Sequence, residues 1–340
     1  MKRLLATLAA ATVLTAPAVV LGWAETGHRM IGRLAMEALP SDVPAFLRSP
    51  EAVAAVEELG REPDRWRGSG KTHDAERDPA HFIDLDDNGL TLAGVGLDKL
   101  PARRGDFEAA LTGAQVDVEK SGYLPYAIVD GWQQLAKDFA YWRVETAALA
   151  RDQNAEHRAW YVRDLKLREA LIVRDLGVWS HYVGDGSMPM HLSIHFNGWG
   201  DFPNPEGFTK APIHTVFEGS YVKNFVTVDE VRARLRPYQA CGQPIESCAA
   251  DYLHTTWSEV LPTYQLEKKV GYNLASPQAT AFVADRIAAG ASELRDLIVD
   301  AWKASTTMSA GYAGRGKPQA TPETVQSGAV DPWEAVYGTN

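Results

Sequence analysis

The sequence predicts a single all-α domain with long loops. Three observations carry that reading. Apolar residues recur at helical intervals through much of the chain, no stretch alternates as a half-buried strand would, and no segment repeats another. A chain of 340 residues is long enough to enclose one large core.

The chain begins as a secretory signal would. Lys2 and Arg3 supply a positive start, Leu4 to Val20 is apolar and rich in Ala and Leu, and Val20-Leu21-Gly22 offers small or β-branched residues at the cleavage positions. Residues 1–22 are thus expected to be a signal peptide, with an uncleaved anchor as the alternative. The apolar run is short for a membrane span and nothing later resembles one, so the mature protein is expected to be secreted or periplasmic, with no transmembrane anchor. Removing Lys2 and Arg3 takes the formal charge from −10 to −12. So acidic a chain should not hold nucleic acid through a broad basic surface, and bound phosphate would need metal ions to attract it.

The elements follow in order. After His28, Ile31, Leu34 and Ala35 mark a first helix. The stretch Asp86 to Gly131 carries many Gly, Pro and polar residues and is expected to form long loops with short helices. Leu165, Ile172, Leu176, Trp179 and Val183 make an apolar stripe, which Gly184, Gly186 and Pro189 bring to an end. Cys241 and Cys248, too few for a zinc–thiolate site, either close a small disulfide loop or stay as free thiols. A last long helix is expected between Ser276 and Thr306, on Phe282, Ile287, Leu294, Leu297, Ile298 and Trp302. The catalytic domain is placed at 23–310, and 311–340 is read as an irregular tail, because it turns to Gly, Pro, Thr and Ser.

Histidines and acids carry the chemistry. His181-x3-Asp185 and His214-x3-Glu218 each place an imidazole one helical turn from a carboxylate, and His191 lies between them. Imidazole nitrogen and carboxylate oxygen are the donors that borderline divalent ions prefer, zinc above all. On a helical wheel, His181 and Asp185 lie roughly opposite Trp179 and Val183, as residues of a solvated face would. A third imidazole immediately past the helix end argues for a metal site instead. His73, beside Asp74, reads as a solvated loop residue, and His157 and His254 as surface or half-buried helix residues. His195, four residues past His191, reads as structural, with an approach to substrate as the alternative.

These motifs resemble those of the zinc-dependent nuclease S-one/P-one family, the fungal and plant single-strand nucleases, to which bacterial zinc phospholipase C is related. Trp23-Ala-Glu-Thr-Gly-His28 is similar to the family's Trp-Gly-x-x-Gly-His start. Asp64-Arg-Trp-Arg67, His81-Phe-Ile-Asp84, His181-x3-Asp185-x5-His191 and His214-x3-Glu218 follow in the family's order, across nearly the whole mature chain. The resemblance implies three zinc ions. One would take Trp23, through its free α-amino group and carbonyl oxygen, together with His28. Asp185 would bridge that ion to a second, held also by Asp64, His81 and His181. The third would take His191, His214 and Glu218. Cleavage after Gly22 then becomes a chemical requirement, since an acylated nitrogen has no lone pair for a metal.

The resemblance also implies the activity: hydrolysis of single-stranded DNA and RNA by a zinc-activated water, with 3′-nucleotidase activity. Asp64 and Arg67 would be catalytic, Arg67 as a phosphate-pairing guanidinium, against the plainer reading of a surface salt bridge. Phe82 would stack on an unpaired base and Asp84 accept its donor hydrogens, against core packing and a turn cap. No obligate protein partner is evident. The first alternative is a zinc phospholipase C with a phosphatidylcholine-like head group as substrate; the second is a non-catalytic zinc-binding homologue. Glu218 stands where the fungal nucleases have Asp, as in the phospholipases. Ser187-Met188-Pro189-Met190-His191 replaces His-Gln-Pro-Leu-His, and Asn197-Gly-Trp-Gly-Asp201-Phe-Pro-Asn replaces Asp-x-Gly-Gly-Asn. The Trp23-to-His28 and His191-to-His214 spacings are nuclease-like. Trp199 and Phe202 are read as exposed residues able to dock on lipid.

Overall fold

Helix ends in this chain are set by residues that satisfy or spare backbone groups. Ser49 accepts from Ala52 N ahead of Pro50, Asn154 accepts from Glu156 N and His157 N, and Thr227 and Glu230 form a reciprocal capping box. The computed structural model describes residues 23–311 and 319–337; the expected signal segment 1–22 lies outside the described residues. In chain order the helices are α1 (Ala24–Glu37), α2 (Pro50–Leu59), α3 (Glu62–Arg65), α4 (Lys71–Arg77), α5 (Arg104–Gly113), α6 (Val118–Ser121), α7 (Leu124–Arg151), α8 (Ala155–Asp185), α9 (Val222–Phe225), α10 (Val228–Arg232), α11 (Ile245–Trp257), α12 (Val260–Val270), α13 (Pro277–Ala304), α14 (Pro322–Ser327) and α15 (Pro332–Val336). Among the described residues, β structure is limited to isolated bridges such as Ile83–Gly122 and Leu85–Thr91. The fold is a single all-α assembly.

The long helices form the frame. α7 packs along α8, α1 lies against α13 and α2, and α2 lies against α8. Ile172, Leu176, Trp179 and Val183 of α8 are all buried, each worth roughly 1.5–3 kcal/mol of apolar burial. Close approach is built in: a Cβ on Gly131 of α7 would lie 2.0 Å from Trp179 Cδ1, so the indole occupies the space a side chain would need. The indole Nε1 then donates to Ile128 O at 3.0 Å. No helix of the described residues is long and apolar enough to cross a membrane.

Several expectations need amendment. The stretch Asp86–Gly131 consists of loops and the short helices α5 and α6, as expected, only as far as Tyr123; the long helix α7 then starts on Leu124 and Pro125, with the proline placed where its missing N–H costs nothing. His73 lies in helix α4, not a loop. The 311–340 segment, expected to be irregular, forms α14 and α15 in its described part. Val325, Ala335 and Val336 there bury beside Val144, Ala148 and Tyr161 of α7 and α8. Trp199 is buried at 7% exposure, stacked on His195 with ring centroids 3.8 Å apart, so it is no surface anchor; Phe202 is 41% exposed.

Candidate metal centre

The end of α8 is where the apolar stripe gives way to polar side chains that are still buried. His181 and Asp185 are both fully buried, because α1, α2 and the turns at residues 60 and 187–192 cover the face opposite Trp179. The stripe and the polar face are therefore both interior, and the helical-wheel argument for a solvated face fails for lack of solvent.

Three groups of donors converge there. His28, His181 and Asp185 form one, Asp64, His81 and His181 a second, and His191, His214 and Glu218 a third, with the ligand atoms of each within 4.8 Å of one another. Any of the three could hold a metal ion. The two oxygens of Asp185 face different imidazoles: Oδ1 lies 3.4 Å from His28 Nε2, and Oδ2 lies 3.3 Å from His181 Nε2. Oδ1 also lies 3.6 Å from His191 Nδ1, so this carboxylate reaches from the first group to a member of the third. In the third group His214 Nε2 lies 2.8 Å from Glu218 Oε2 and 3.1 Å from His191 Nε2.

Backbone carbonyls fix the tautomer of four histidines. The Nδ1 of His81 donates to Asp78 O at 2.9 Å, that of His181 to Gly60 O at 2.8 Å, that of His191 to His81 O at 2.6 Å, and that of His214 to Phe196 O at 2.5 Å. Each ring is thereby oriented with its Nε2 lone pair toward the cluster, which is how metal-bound histidines are held. Two of the segments are zipped together by the backbone: Ile83 N donates to His191 O at 2.9 Å, and Ile194 N to Leu85 O at 3.1 Å.

Burial supplies the test of whether metal fits. Both nitrogens of His28, the Nε2 of His81 and His181, Asp64 Oδ1, and both oxygens of Asp185 and Glu218 are buried without a hydrogen-bond partner. Leaving that many donor atoms unsatisfied in one place is costly unless something else meets them. The same burial holds the groups neutral in the metal-free protein. It lowers His28 and His214 to about 4, lowers His81, His181 and His191 as well, raises Asp185 to about 8 and raises Glu218 well above the carboxylate range. Divalent ions would offset that penalty, since neutral imidazole and ionised carboxylate are the forms that ligate.

His214 and Glu218 were expected one α-helical turn apart. The chain forms a π-helical turn over Val216–Tyr221 instead, a widening that recurs at functional sites. Trp23 caps α1 and is fully buried; its Nε1 donates to Ser187 Oγ at 2.8 Å, and its ring lies 5.7 Å from that of Phe217, next to Glu218. It thus borders the clusters, whose described donors are all side chains.

The other expected residues lie at the rim. Arg67 is 14% exposed, with Nη2 3.5 Å from Asp64 Oδ1 and Nε 3.5 Å from Asp78 Oδ1, and its charge bears on both Asp185 and Glu218. Phe82 is half-buried. Gly122 lies against it with φ +74°, where a Cβ would come within 2.1 Å of Phe82 O. Asp84 is buried, and burial raises its carboxyl well above the usual range. It is Asp86 that holds the following turn, accepting from Asn88 N and Leu90 N.

Sequence reasoning missed the carbonyls of Gly60 and Phe196, which no side-chain pattern announces. It also missed the clamp between His195 and Asp87, Nε2 to Oδ1 2.8 Å, which ties the Asp84–Asn88 turn to the loop carrying Trp199. His195 Nδ1 donates to Trp199 O at 2.9 Å, so both ring nitrogens serve the loop's structure. His254 is exposed on α11, and His157 stacks on Trp333 of the C-terminal segment. Cys241 and Cys248 form a disulfide, Cα atoms 5.9 Å apart. No protein-family model matches the chain, and no curated protein matches it.

Proposed function

We propose that the protein is a zinc-dependent phosphodiesterase that hydrolyses single-stranded DNA and RNA. The observation that carries this reading is the set of three adjoining donor groups, joined through His181 and Asp185, with a guanidinium at the edge. The sequence motifs that resemble the single-strand nucleases supply every one of those donors. Zinc held there would supply Lewis-acid stabilisation and an acidified water, the chemistry that phosphodiester hydrolysis needs.

The chain's own residues divide the remaining work. Arg67 pairs two oxygens of the phosphate and is kept in place by Asp64 and Asp78. Phe82, held by Gly122, offers a face to an unpaired base, and stacking there tolerates any base but excludes a duplex. Asp84, two residues on and buried, can accept from a base edge through its carboxyl oxygens. Trp23, anchored by Ser187, would add its α-amino nitrogen to the His28 site once the signal is removed.

Phospholipase C activity is the second reading, favoured by two exposed rings, Phe196 at 44%, whose carbonyl holds His214, and Phe202 at 41%, packed edge-on to His195. The deciding experiment is cleavage of single-stranded DNA by the purified protein starting at Trp23, with and without a zinc chelator. Chelator-sensitive cleavage supports the nuclease. A zinc-loaded protein that cleaves phosphatidylcholine and leaves DNA intact overturns it in favour of the lipase, and one that hydrolyses neither is a binding protein.

A further inference from the structure

Away from the candidate metal centre, the segment at residues 236–243, the face of α11 and the middle of α13 line a cavity of about 370 Å³ that opens to solvent. Its wall includes Arg236, Cys241, Asp251, Tyr252, Arg286 and Glu293. The disulfide to Cys248 closes the loop that forms one side.

The charges separate into those already used and those available. Arg236 donates to Glu293 at 2.6 Å and to Asp296, so its guanidinium and the Glu293 carboxyl satisfy one another. Arg286 is different. Its side chain is 14% exposed, and among the described ion pairs its one carboxylate contact is a long one, Glu259 Oε1 at 3.7 Å from Nη2. Asp251, exposed at the mouth on α11, accepts from Gln243 Nε2 at 3.0 Å and faces no cation among the described ion pairs. The cavity therefore offers one underused cation from α13 and one underused carboxylate from α11, and its lining charges cancel. A bare anion would meet the like charge of Asp251 and a bare cation that of Arg286; a molecule carrying both charges can pair with each.

We infer that this cavity binds a small zwitterion, with a carboxylate on Arg286 and an ammonium group on Asp251, as an amino acid or a short peptide would present. A guanidinium suits the carboxylate because it can donate two parallel hydrogen bonds. Tyr252, on the cavity wall, donates to Val183 O at 2.7 Å in the last turn of α8, two residues from Asp185. An occupant thus rests on a residue that also supports the metal-bearing helix end. The site is independent of the proposed phosphodiesterase activity.

The test is calorimetric titration of the zinc-loaded protein with 3-aminopropanoate, 4-aminobutyrate and 6-aminohexanoate, whose separated charges make poor zinc chelates. Butyrate and butylamine serve as half-molecule controls. The expected result is binding that peaks at one chain length, weakens at least about tenfold for either half-molecule, and weakens by a similar factor in Arg286→Met and in Asp251→Asn. Asp251→Asn is an exposed, near-isosteric change, so it keeps the test informative if Arg286→Met folds poorly. Unchanged zinc content in the variants separates this site from the metal centre. Absence of heat with any of the three zwitterions at millimolar concentration, half-molecules that bind as well, or binding indifferent to both substitutions would overturn the assignment.

Discussion

Asp185→Asn removes the charge that joins two of the donor groups while keeping the side chain's shape. The native oxygens lie 3.4 Å from His28 Nε2, 3.3 Å from His181 Nε2 and 3.6 Å from His191 Nδ1, so the substitution acts on the two ions the carboxylate would bridge in the proposed centre and leaves His214 and Glu218 in place. If three zinc ions bind and Asp185 bridges two of them, as proposed, the variant should keep one and lose two. With zinc at about a hundred times each dissociation constant, a site stabilises the fold by about 2.7 kcal/mol, so the loss approaches 5 kcal/mol. At about 2.1 cal/mol/K of unfolding entropy per residue, that is roughly 7 °C in Tm for a chain of this size. Elemental analysis after gel filtration and thermal melts with and without chelator read both quantities. The chelated proteins provide the control: burial pushes the Asp185 carboxyl to about 8, so in metal-free protein at pH 7 it is mostly protonated and neutral, as Asn is. Chelated wild type and variant should melt close together. A variant that retains all its zinc and its Tm would refute the bridging role, and one that melts low even in chelator would show damage to the fold instead.

Other consequences are narrower. Arg67→Gln should lower kcat for single-stranded DNA by about 100- to 1000-fold with zinc content unchanged, and equal loss of metal would move Arg67 from substrate to scaffold. Gly122→Ala puts a Cβ 2.1 Å from Phe82 O at φ +74°; it should cost about 2 kcal/mol or more in a denaturant melt, with a raised KM for single strands. The metal-free protein should be most stable near pH 6.5. Below that, buried histidines lowered toward 4 stay neutral while the unfolded chain takes up protons, so stability falls with pH. Above it, Asp185, raised to about 8, stays protonated while the unfolded chain has already ionised, so stability falls as pH climbs toward 8. Chelator melts across pH 4 to 9 would show a flat profile if the cluster were solvated.

How far the sequence carried the argument depends on which atoms did the positioning. The apolar stripe of α8 was legible because Ile172, Leu176, Trp179 and Val183 repeat at helical spacing, and its end was legible because Gly184 and Gly186 cannot sustain a stripe. The eight side chains that converge in the candidate metal centre were legible too, since only a few residue types ligate borderline ions and several of them recur one helical turn apart. Helix α7 was not. Its N-terminal half carries Gly131 and Trp132 within a Gly- and Pro-rich stretch, and Gly131 is there to admit the Trp179 indole, a requirement imposed by another helix. The same logic hid the orientation of the histidines. Their Nδ1 partners are carbonyls of Gly60, Asp78, His81 and Phe196, and every residue has a carbonyl, so no spacing marks the ones that matter. The burial of Trp199 was hidden for a related reason: a tryptophan in a Gly- and Pro-rich loop reads as exposed until His195, Phe208 and Tyr264 are seen around it. Residue type thus identified what the centre is made of. The backbone, through the zipper of residues 81–85 with 191–195, decides that donors distant in the chain meet at one point.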